Sequence, residues 1–368
     1  MKFTIHRDPL LDALQRALSV VEKKNTVQIL GNVLLSVTEN EVSLSATDLE
    51  VGIQITIPVK TQETGKVTLS AKQLHDIVKE LPSRDLVLSK KENNWVEILS
   101  GKSKFNIVSL AADEFPALPA FHEKTYFDAR VDSLSEMIDR TEFAVSLDAT
   151  RYHLNGVFFE ALENNLMRMT ATDGHRLSFV DAEVFLNAPE IKRGIIIPRK
   201  GLSELRKVLN HGQSSVGLSF ERGYLFVKLG QSYLFIRLIE GEYPDYKQVV
   251  PKNSDKTMTV GREDLLSALR RVSLLANEKS RGVKLSMSNN ALVIASSNPD
   301  VGDACEELDV QFSGELLEVG FNAKYLLDCL AITRSPEVVF SLKDKLSPGI
   351  MRGTDEGRHT YVIMPMRI

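Results

Sequence analysis

The chain has 368 residues, of which 43% are hydrophobic and 26% charged, with a formal net charge of -4. This length fits two or three domains, the balanced composition argues against a disordered chain, and the negative charge argues against coating nucleic acid by bulk attraction. Two cysteines, Cys305 and Cys329, are too few for a disulfide framework and lack metal-site spacing. Neither a signal peptide nor a membrane-length apolar run is apparent, which predicts a cytoplasmic protein.

The first third of the chain predicts two helices among short strands. Apolar residues recur at helical spacing in two sets: Leu10, Leu14, Leu18 and Val21, then Leu74, Ile77, Val78 and Leu81. Other segments read as short strands: Asn32 to Ser36, Val42 to Ala46, Trp95 to Leu99 and Lys104 to Leu110. Because these strands are short, alternating and closely linked, antiparallel pairing is favoured and the expected class is α+β.

The same pattern returns twice along the chain. The tetrapeptides Ser-Ala-Thr-Asp at 45–48, Thr-Ala-Thr-Asp at 170–173 and Ala-Ser-Ser-Asn at 295–298 are each 125 residues apart. The second copy repeats the two helical patterns at Leu134, Ile138 and Val145 and at Leu202, Leu205 and Leu209. The third copy repeats them at Leu265, Leu269, Val272 and Ala276 and at Leu326, Leu327 and Leu330. A repeat this long can bury its own core, so each copy predicts a domain.

Related linkers end the first two copies, at Asp113 to Pro116 and at Gly241 to Pro244, where proline marks a turn. The expected domains are therefore 1–124, 125–253 and 254–368. Each should hold two helices and an antiparallel sheet.

No catalytic motif stands out in the sequence. Gly101-Lys102-Ser103 lacks the earlier glycine of a phosphate-binding loop, and the seven histidines are scattered. Asp173-Gly174-His175-Arg176 could orient an imidazole for acid–base chemistry, but Asp-Gly is also a favoured turn between strands. No nucleophile or metal ligand accompanies it, so a non-enzymatic protein without cofactors is expected.

The segment Ala171 to Leu177, Ala-Thr-Asp-Gly-His-Arg-Leu, resembles the central-domain signature of the DNA polymerase III beta subunit family, the bacterial sliding clamps. Further segments resemble that family in order along the whole chain: 29–32, 152–156, 197–201, 277–283 and 361–368. The resemblance implies the DNA clamp fold and a head-to-tail ring dimer with helices lining its hole. It also implies sequence-independent binding of double-stranded DNA and, as protein partners, the DNA polymerase III alpha subunit, the clamp loader, translesion polymerases and repair proteins.

Contacts with DNA should be weak and directed to phosphates, because topology retains a ring. The second helix of the middle copy is the most basic element, with Arg199, Lys200, Arg206 and Lys207 against Glu204. A solvated helix face is the alternative interpretation. By position, the resemblance implies these DNA-contacting residues: Lys24, Lys72, Tyr152, His153, Arg199 and Lys200. Asp148 departs from the pattern, since an uncharged polar residue would suit DNA better there.

Ring closure is expected at an edge strand from Lys104 to Ile107 and at an apolar patch on the third copy. The predicted interface residues are Phe105, Ile107, Leu274 and Leu275, with Lys102, Lys104, Glu306 and Glu307 as candidate ion pairs. The alternative for the two leucines is the core of their own domain.

The family implies an apolar pocket that binds a short linear peptide from each client protein. The matching residues are Arg151, Leu154, Thr172, Gly174, His175, Arg176, Leu177, Pro244, Val249, Asn322, Tyr325, Leu346, Val362, Ile363, Met364, Pro365, Met366, Arg367 and Ile368. Arg151 and Arg176 are expected to offer polar contacts at its rim, and Val362 to Met366 also reads as a closing strand. Gln248 and Ser280 differ from residues common in the family, which leaves peptide specificity open. An enzyme using Asp173 and His175, and a scaffold that binds only proteins, remain alternatives.

Overall fold

The computed structural model describes residues 1–21, 27–119, 126–185, 191, 193–210, 212–312 and 314–367. The first repeat contains helices α1 (Arg7–Val20) and α2 (Ala71–Glu80) and strands β1 (Lys2–His6), β2 (Asn32–Val37), β3 (Glu41–Thr47), β4 (Val51–Pro58), β5 (Lys60–Glu63), β6 (Gly65–Ser70), β7 (Asp85–Lys90), β8 (Trp95–Ser100) and β9 (Ser103–Leu110).

The second repeat contains helices α3 (Val131–Asp139) and α4 (Arg199–Leu209) and strands β10 (Phe127–Arg130), β11 (Gly156–Ala161), β12 (Met167–Thr172), β13 (Arg176–Ala182), β14 (Ile195–Pro198), β15 (Ser215–Glu221), β16 (Tyr224–Leu229) and β17 (Ser232–Arg237). The third contains α5 (Arg262–Val272) and α6 (Ala323–Ile332) and strands β18 (Lys256–Gly261), β19 (Gly282–Ser288), β20 (Ala291–Asn298), β21 (Gly302–Asp309), β22 (Gln311–Phe312), β23 (Leu317–Asn322), β24 (Glu337–Leu342), β25 (Gly349–Gly353) and β26 (His359–Ile363).

The helices confirm the apolar spacing seen in the sequence. In each repeat the first helix begins directly after a strand, and the fourth and eighth helical residues are buried leucine or isoleucine: Leu10 and Leu14, Leu134 and Ile138, Leu265 and Leu269. The second helices likewise bury their fourth residue, at Leu74, Leu202 and Leu326. These matched starting points let equivalent positions be compared across the three repeats.

The chain divides into two compact units. The first comprises Met1–Val131, Phe185–Asn187 and Lys200–Leu238, and the second comprises Asp132–Val184, Ala188–Arg199 and Ile239–Ile368. In the first unit, one sheet of 13 strands runs in the order β10-β15-β16-β17-β4-β3-β2-β6-β9-β8-β7-β1-β5. Within it β4 of the first repeat pairs with β17 of the second, with Ile53 opposite Leu234. We name this contact the first junction.

The second unit contains two sheets, ordered β14-β11-β12-β13-β26-β25-β24-β18-β22 and β21-β20-β19-β23. Here β13 of the second repeat pairs with β26 of the third, with Leu177 opposite Val362. We name this contact the second junction. A core that includes Met258, Leu285, Phe321 and Phe340 fills the third repeat. All pairings between named strands of the described residues are antiparallel, as expected for the α+β class.

Strands β9 and β21 are among those that keep an open edge within the described residues. Strand β9 pairs with β8 from Ser103 to Val108, but with β6 only at Ser109 and Leu110. Strand β21 is the last strand of its sheet and pairs with β20. The prediction that Lys104 to Ile107 form an edge strand is therefore confirmed.

Candidate peptide-binding and nucleic-acid surfaces

The turn between β12 and β13 uses Asp173 as a structural residue. Its Oδ1 accepts backbone N–H groups of His175 and Arg176 at 2.9 and 3.0 Å, and its Oδ2 accepts Arg176 Nε at 3.2 Å. Gly174 has a φ of 87°, a conformation that glycine adopts without strain. The His175 ring stacks on Tyr325, with centroids 6.3 Å apart. The Asp173 carboxylate thus serves the turn and Arg176, which supports the turn interpretation over the acid–base one.

Arg176 is a buried anchor, with only 8% of its surface exposed. Its guanidinium donates to Asp328 Oδ2 at 2.5 Å and to the Phe143 carbonyl at 2.7 Å, and it lies 4.7 Å from the centroid of the Tyr325 ring. The expectation that Arg176 offers polar contacts at the pocket rim is therefore wrong, because its donors already serve groups of the second and third repeats. Arg151 is half-buried and donates to the Asp173 carbonyl at 2.9 Å.

An apolar cluster forms the candidate pocket floor. Leu177, Val362 and Tyr246 are buried together, with Phe158, Phe179, Tyr243 and Val250 packed around them. Tyr243 stacks on Phe158 at 5.0 Å, and burial raises the pKa of its hydroxyl. The aromatic residues of this cluster were not assigned to the pocket from the sequence, although Tyr243 lies in the linker at 241–244.

The other predicted pocket residues differ in exposure. Leu154 and Ile363 are buried, Thr172 is half-buried, and Gly174, Pro244 and Val249 are exposed. Gln248 is exposed and donates to Asp245, whereas half-buried Ser280 accepts the backbone N–H of Gly282. Asn322 caps α6 by accepting the Lys324 N–H at 2.9 Å.

The C-terminal segment 364–367 extends past β26 and is tied to both neighbouring repeats. Met364 N donates to the His175 carbonyl and Met366 N to the Gly320 carbonyl, each at 2.9 Å. Met364 is exposed, and Pro365 has no N–H to donate. A cavity beside it is lined by Leu346, Pro365, Met366 and Arg367 together with Lys284, Glu318 and Lys345. Ile368 lies outside the described residues.

A second cavity collects residues from both repeats that flank the second junction. Its lining includes Phe143, Leu147, Arg151, His175, Arg176, Arg199, Tyr325 and Asp328. The structure therefore brings the predicted residues Arg151, His175, Arg176 and Tyr325 together. Asp328 and Phe143 were missed from the sequence, since only their position in the fold makes them neighbours of Arg176.

A buried polar cluster also crosses the second junction. His359 Nδ1 lies 2.7 Å from Arg140 Nη1, and Arg140 Nη2 donates to Glu356 Oε1 at 3.0 Å. Ser178 Oγ donates to the Arg140 carbonyl at 2.5 Å and lies 3.2 Å from His359 Nε2. Burial, with the charge of Arg140 next in importance, lowers the pKa of His359 to about 3. The imidazole is therefore neutral, with Nδ1 accepting from the guanidinium.

The predicted DNA-contacting residues occupy two different environments. Tyr152 is 57% exposed, and its ring meets His153 edge to face at 5.5 Å. Both belong to a 3₁₀ segment, Ala149–Leu154, that Asp148 caps by accepting the Thr150 N–H at 3.0 Å. Hydrogen bonds from Thr150 lower the pKa of Asp148. This capping role explains an acidic residue at that position.

The basic candidates also differ in what they contact. Arg199 and Lys72 are exposed, and Lys24 lies outside the described residues. Lys200 forms an ion pair with Asp48, whose side chain is only 3% exposed. Lys200 is thus already engaged at the first junction, a role that the sequence did not suggest.

The predicted dimer surface is open in this chain. Leu274 is 80% exposed and Phe105 36%, while Ile107 and Leu275 are half-buried. The alternative that Leu274 belongs to its own domain core is therefore wrong. Lys102 and Glu307 are exposed. Lys104 pairs with Glu97 at 2.5 Å, and Arg271 Nε donates to Glu306 at 2.9 Å, so both of these predicted interface charges have intrachain contacts.

No helix among the described residues is long and apolar enough to cross a membrane. The described part of the chain also lacks a cluster of His, Cys, Asp and Glu side chains suited to a metal ion.

Known proteins resemble this chain along its length. Models of the DNA polymerase III beta subunit match in order: the N-terminal domain at residues 1–119, the central domain at 129–245 and the C-terminal domain at 247–367. The beta sliding clamp of Pseudomonas aeruginosa is 36% identical over 369 residues, covering 100% of both chains. The solved Caulobacter crescentus pol III beta has a TM-score of 0.96 at 34% identity, covering 100% of both chains. A Pseudomonas aeruginosa sliding clamp bound to griselimycin has a TM-score of 0.93 at 35% identity, also with 100% coverage of both chains.

Proposed function

From the premise that this chain belongs to the DNA polymerase III beta subunit family and is a DNA sliding clamp, we propose that two copies close head to tail into a ring around duplex DNA. The three repeats, 1–124, 125–253 and 254–368, are proposed as its domains. The ring acts without catalysis: it holds replication proteins on DNA through a peptide pocket.

The observation that carries the ring is the way neighbouring repeats join. At the first junction β4 pairs with β17, and at the second the equivalent strand β13 pairs with the last strand, β26. Each junction therefore joins the strand after the tetrapeptide turn to a late strand of the next repeat. The strands left without such a pairing are β21 of the third repeat and β9 of the first, both with open edges. Pairing β21 with β9 of a second copy continues the rule, and two such contacts close a ring.

The exposure of equivalent helix residues supports the same contact. The sixth residue of the second helix is acidic in each repeat, and its side chain is 6% exposed at Glu204, 25% at Asp328 and 60% at Asp76. The first two accept hydrogen bonds from the preceding repeat, Glu204 from Ser19 and Asp328 from Arg176. Asp76 is the exposed member of this set. A second copy would cover it.

Residues near the end of the first helix support the same contact between copies, because they lie on the repeat that precedes each junction. In each repeat we compare the residue that lies twelve positions after the first residue of the first helix. These residues are Ser19, Phe143 and Leu274. Ser19 reaches Glu204 at the first junction, and Phe143 packs against the core of the third repeat at the second. Leu274 is the exposed member of this set. Burying it against the first repeat of a second copy would remove an apolar surface from water.

Contact with DNA rests on exposed groups that reach phosphates without reading bases. Arg199, Lys72, Tyr152 and His153 are the candidates, with Lys24 added from the family resemblance. Lys200 contributes less, because it already pairs with Asp48. A few such contacts per domain give weak, salt-dependent and sequence-independent binding.

Client proteins are proposed to bind beside the floor formed by Leu177 and Val362 and the segment 364–367. An extended peptide suits this site, because apolar side chains have a cluster to contact and Met364 and Met366 adapt to varied shapes. The proposed clients are the DNA polymerase III alpha subunit, the clamp loader, translesion polymerases and repair proteins. A related clamp, from Pseudomonas aeruginosa, has been solved bound to griselimycin.

Retention on circular DNA tests the proposal. The chain, loaded onto a nicked circle, should remain bound through gel filtration and leave when a restriction enzyme linearises the circle, because only a closed ring needs an end to escape. A circle without a cleavage site is the control. Equal loss from both circles would contradict encirclement and favour a scaffold that binds only proteins.

A further inference from the structure

The three tetrapeptide turns differ in the side chain at their last position. Asp48, Asp173 and Asn298 occupy the same position, and in each the Oδ1 atom accepts the backbone N–H two residues later, at 2.9, 2.9 and 3.2 Å. The second terminal atom is a carboxylate oxygen in the first two repeats. In Asn298 it is an amide nitrogen, which can only donate a hydrogen bond.

That second atom adds an ion pair to the strand pairing at the first junction. Oδ2 of Asp48 pairs with the ammonium group of Lys200, which is the second residue of α4 in the next repeat. The Asp48 side chain is 3% exposed, so this pair is shielded from water on one side. Removing Lys200 would leave the buried Asp48 carboxylate without its ion-pair partner.

At the second junction, the turn carboxylate is linked to a lysine of the next repeat through two intermediate side chains. Asp173 pairs with Arg176 at 3.2 Å, Arg176 with Asp328 at 2.5 Å, and Asp328 with Lys324 at 2.7 Å. Lys324 is the second residue of α6, the position that Lys200 holds in α4. In both cases, a turn carboxylate is linked by charge to the second-helix lysine of the following repeat.

Lys72 is the second residue of α2 and completes this series. It is exposed in the chain. In the proposed ring, the turn that would face it belongs to the third repeat of the other subunit and carries Asn298. An ammonium group and an amide N–H are both donors, and the Asn298 oxygen already serves its own turn.

This inference rests on the proposed head-to-tail ring. We propose that Asn298 makes the junction between subunits the weakest of the three kinds of junction, by withholding the carboxylate that both intrachain junctions use. Only the junction between subunits can open to admit a DNA circle without breaking a chain. Because Asn298 offers no carboxylate, Lys72 also stays available for DNA phosphates, whereas Lys200 is paired with Asp48.

Asn298→Asp tests the proposal by restoring the carboxylate. The turn should tolerate it, because Asp48 and Asp173 already form equivalent turns. The dimer dissociation constant, measured by sedimentation over a dilution series, is expected to fall about tenfold, which equals about 1.4 kcal/mol. The half-life on a nicked circle should lengthen in parallel. Asn289→Asp, an exposed site elsewhere in the third repeat, adds the same charge and should change neither quantity.

A double-mutant cycle tests whether Lys72 is the residue that pairs with the new carboxylate at position 298. The gain from Asn298→Asp should disappear when Lys72 is changed to Gln, and it should shrink as salt rises. Asp300→Asn should leave the wild-type dimer unchanged. A large loss with Asp300→Asn would show that the turn already supplies a carboxylate and would overturn the proposal.

Two results separate this inference from the proposed function. A wild-type protein that sediments as one chain at micromolar concentration would overturn the ring and the inference with it. A wild-type dimer that encircles DNA, but whose Asn298→Asp variant dissociates as readily, would overturn the inference alone.

Discussion

Acidification should destabilise the second junction through one buried histidine. The folded-state pKa of His359 is about 3, whereas an exposed histidine has a pKa of about 6.5. The unfolded chain therefore takes up this proton first. The contribution of the neutral imidazole to the free energy of unfolding is fully present above pH 6.5. It is lost progressively as the pH falls from 6.5 towards 3.

The geometry explains why the folded protein resists protonation. His359 is 1% exposed, and its Nδ1 faces the Arg140 guanidinium at 2.7 Å, so a proton there would place two donors and two positive charges together. The Glu356 carboxylate lies 4.0 Å from Nδ1, but it also pairs with Arg140 at 3.0 Å. Glu136 pairs with the same guanidinium at 2.8 Å. The nearby negative charges are therefore shared with Arg140, and burial dominates.

Linkage gives the size of the effect. Between pH 7 and pH 5, a histidine with these two pKa values costs about 2 kcal/mol of unfolding free energy. For a cooperative unit of 150–250 residues, that corresponds to roughly 4–8 °C in melting temperature. The melting temperatures of wild type and His359→Gln should be measured at both pH values. Each protein loses some melting temperature between pH 7 and pH 5, and the difference between the two losses removes the contribution of other groups. The wild type should lose about 4–8 °C more.

Nuclear magnetic resonance supplies a direct control. The ring C–H signals of His359 should stay constant from pH 7 to pH 5. Titration of His359 near pH 6.5, or equal melting losses for the two proteins, would refute the reasoning.

The remaining predictions concern the ring, DNA and clients. Replacing Leu274 with alanine, alone or with Leu275, should weaken the dimer at least about 30-fold, since a central apolar anchor can contribute about 2 kcal/mol; sedimentation that matches wild type would remove Leu274 from the interface. Arg199→Gln should flatten the salt dependence of DNA affinity without creating sequence preference, and an unchanged slope would place Arg199 on an outer face. Lys200→Gln should lower stability by about 1–3 kcal/mol, because Asp48 stays buried without its ion pair, with Arg199→Gln as the unfolding control. Deleting residues 364–368 should keep the dimer and DNA retention but abolish clamp-loader and polymerase binding together; undiminished affinity for both would show that the pocket lies elsewhere.

Local pattern predicted two helices in each repeat and several of the strands. Leu10, Leu134 and Leu265 follow helical spacing, and the structure buries each at the same helical position. The edge strand at Lys104 to Ile107 was also predicted, because alternation places Phe105 and Ile107 on one face of a strand. These signals are short-range, so one sequence carries them.

The contacts of charged residues could not be predicted in the same way. Arg176 was placed at the pocket rim because it matches a pocket residue of the resembling family, but its partner Asp328 lies 152 residues away. Lys200 looked like a free member of a basic helix until the fold placed it against Asp48. Charge in a sequence shows what a side chain can bind, and the strand pairings decide which partner is within reach.

The two open edges also carry opposite charge, which bears on how copies avoid assembling wrongly. Strand β21 displays Asp303, Glu307 and Asp309, and the hairpin ending in β9 displays Lys102 and Lys104. Two β21 edges from different copies would repel, and so would two β9 edges, whereas unlike edges attract. Homotypic sheet extension, a route by which exposed strands start fibres, is thereby opposed as long as both edges are exposed.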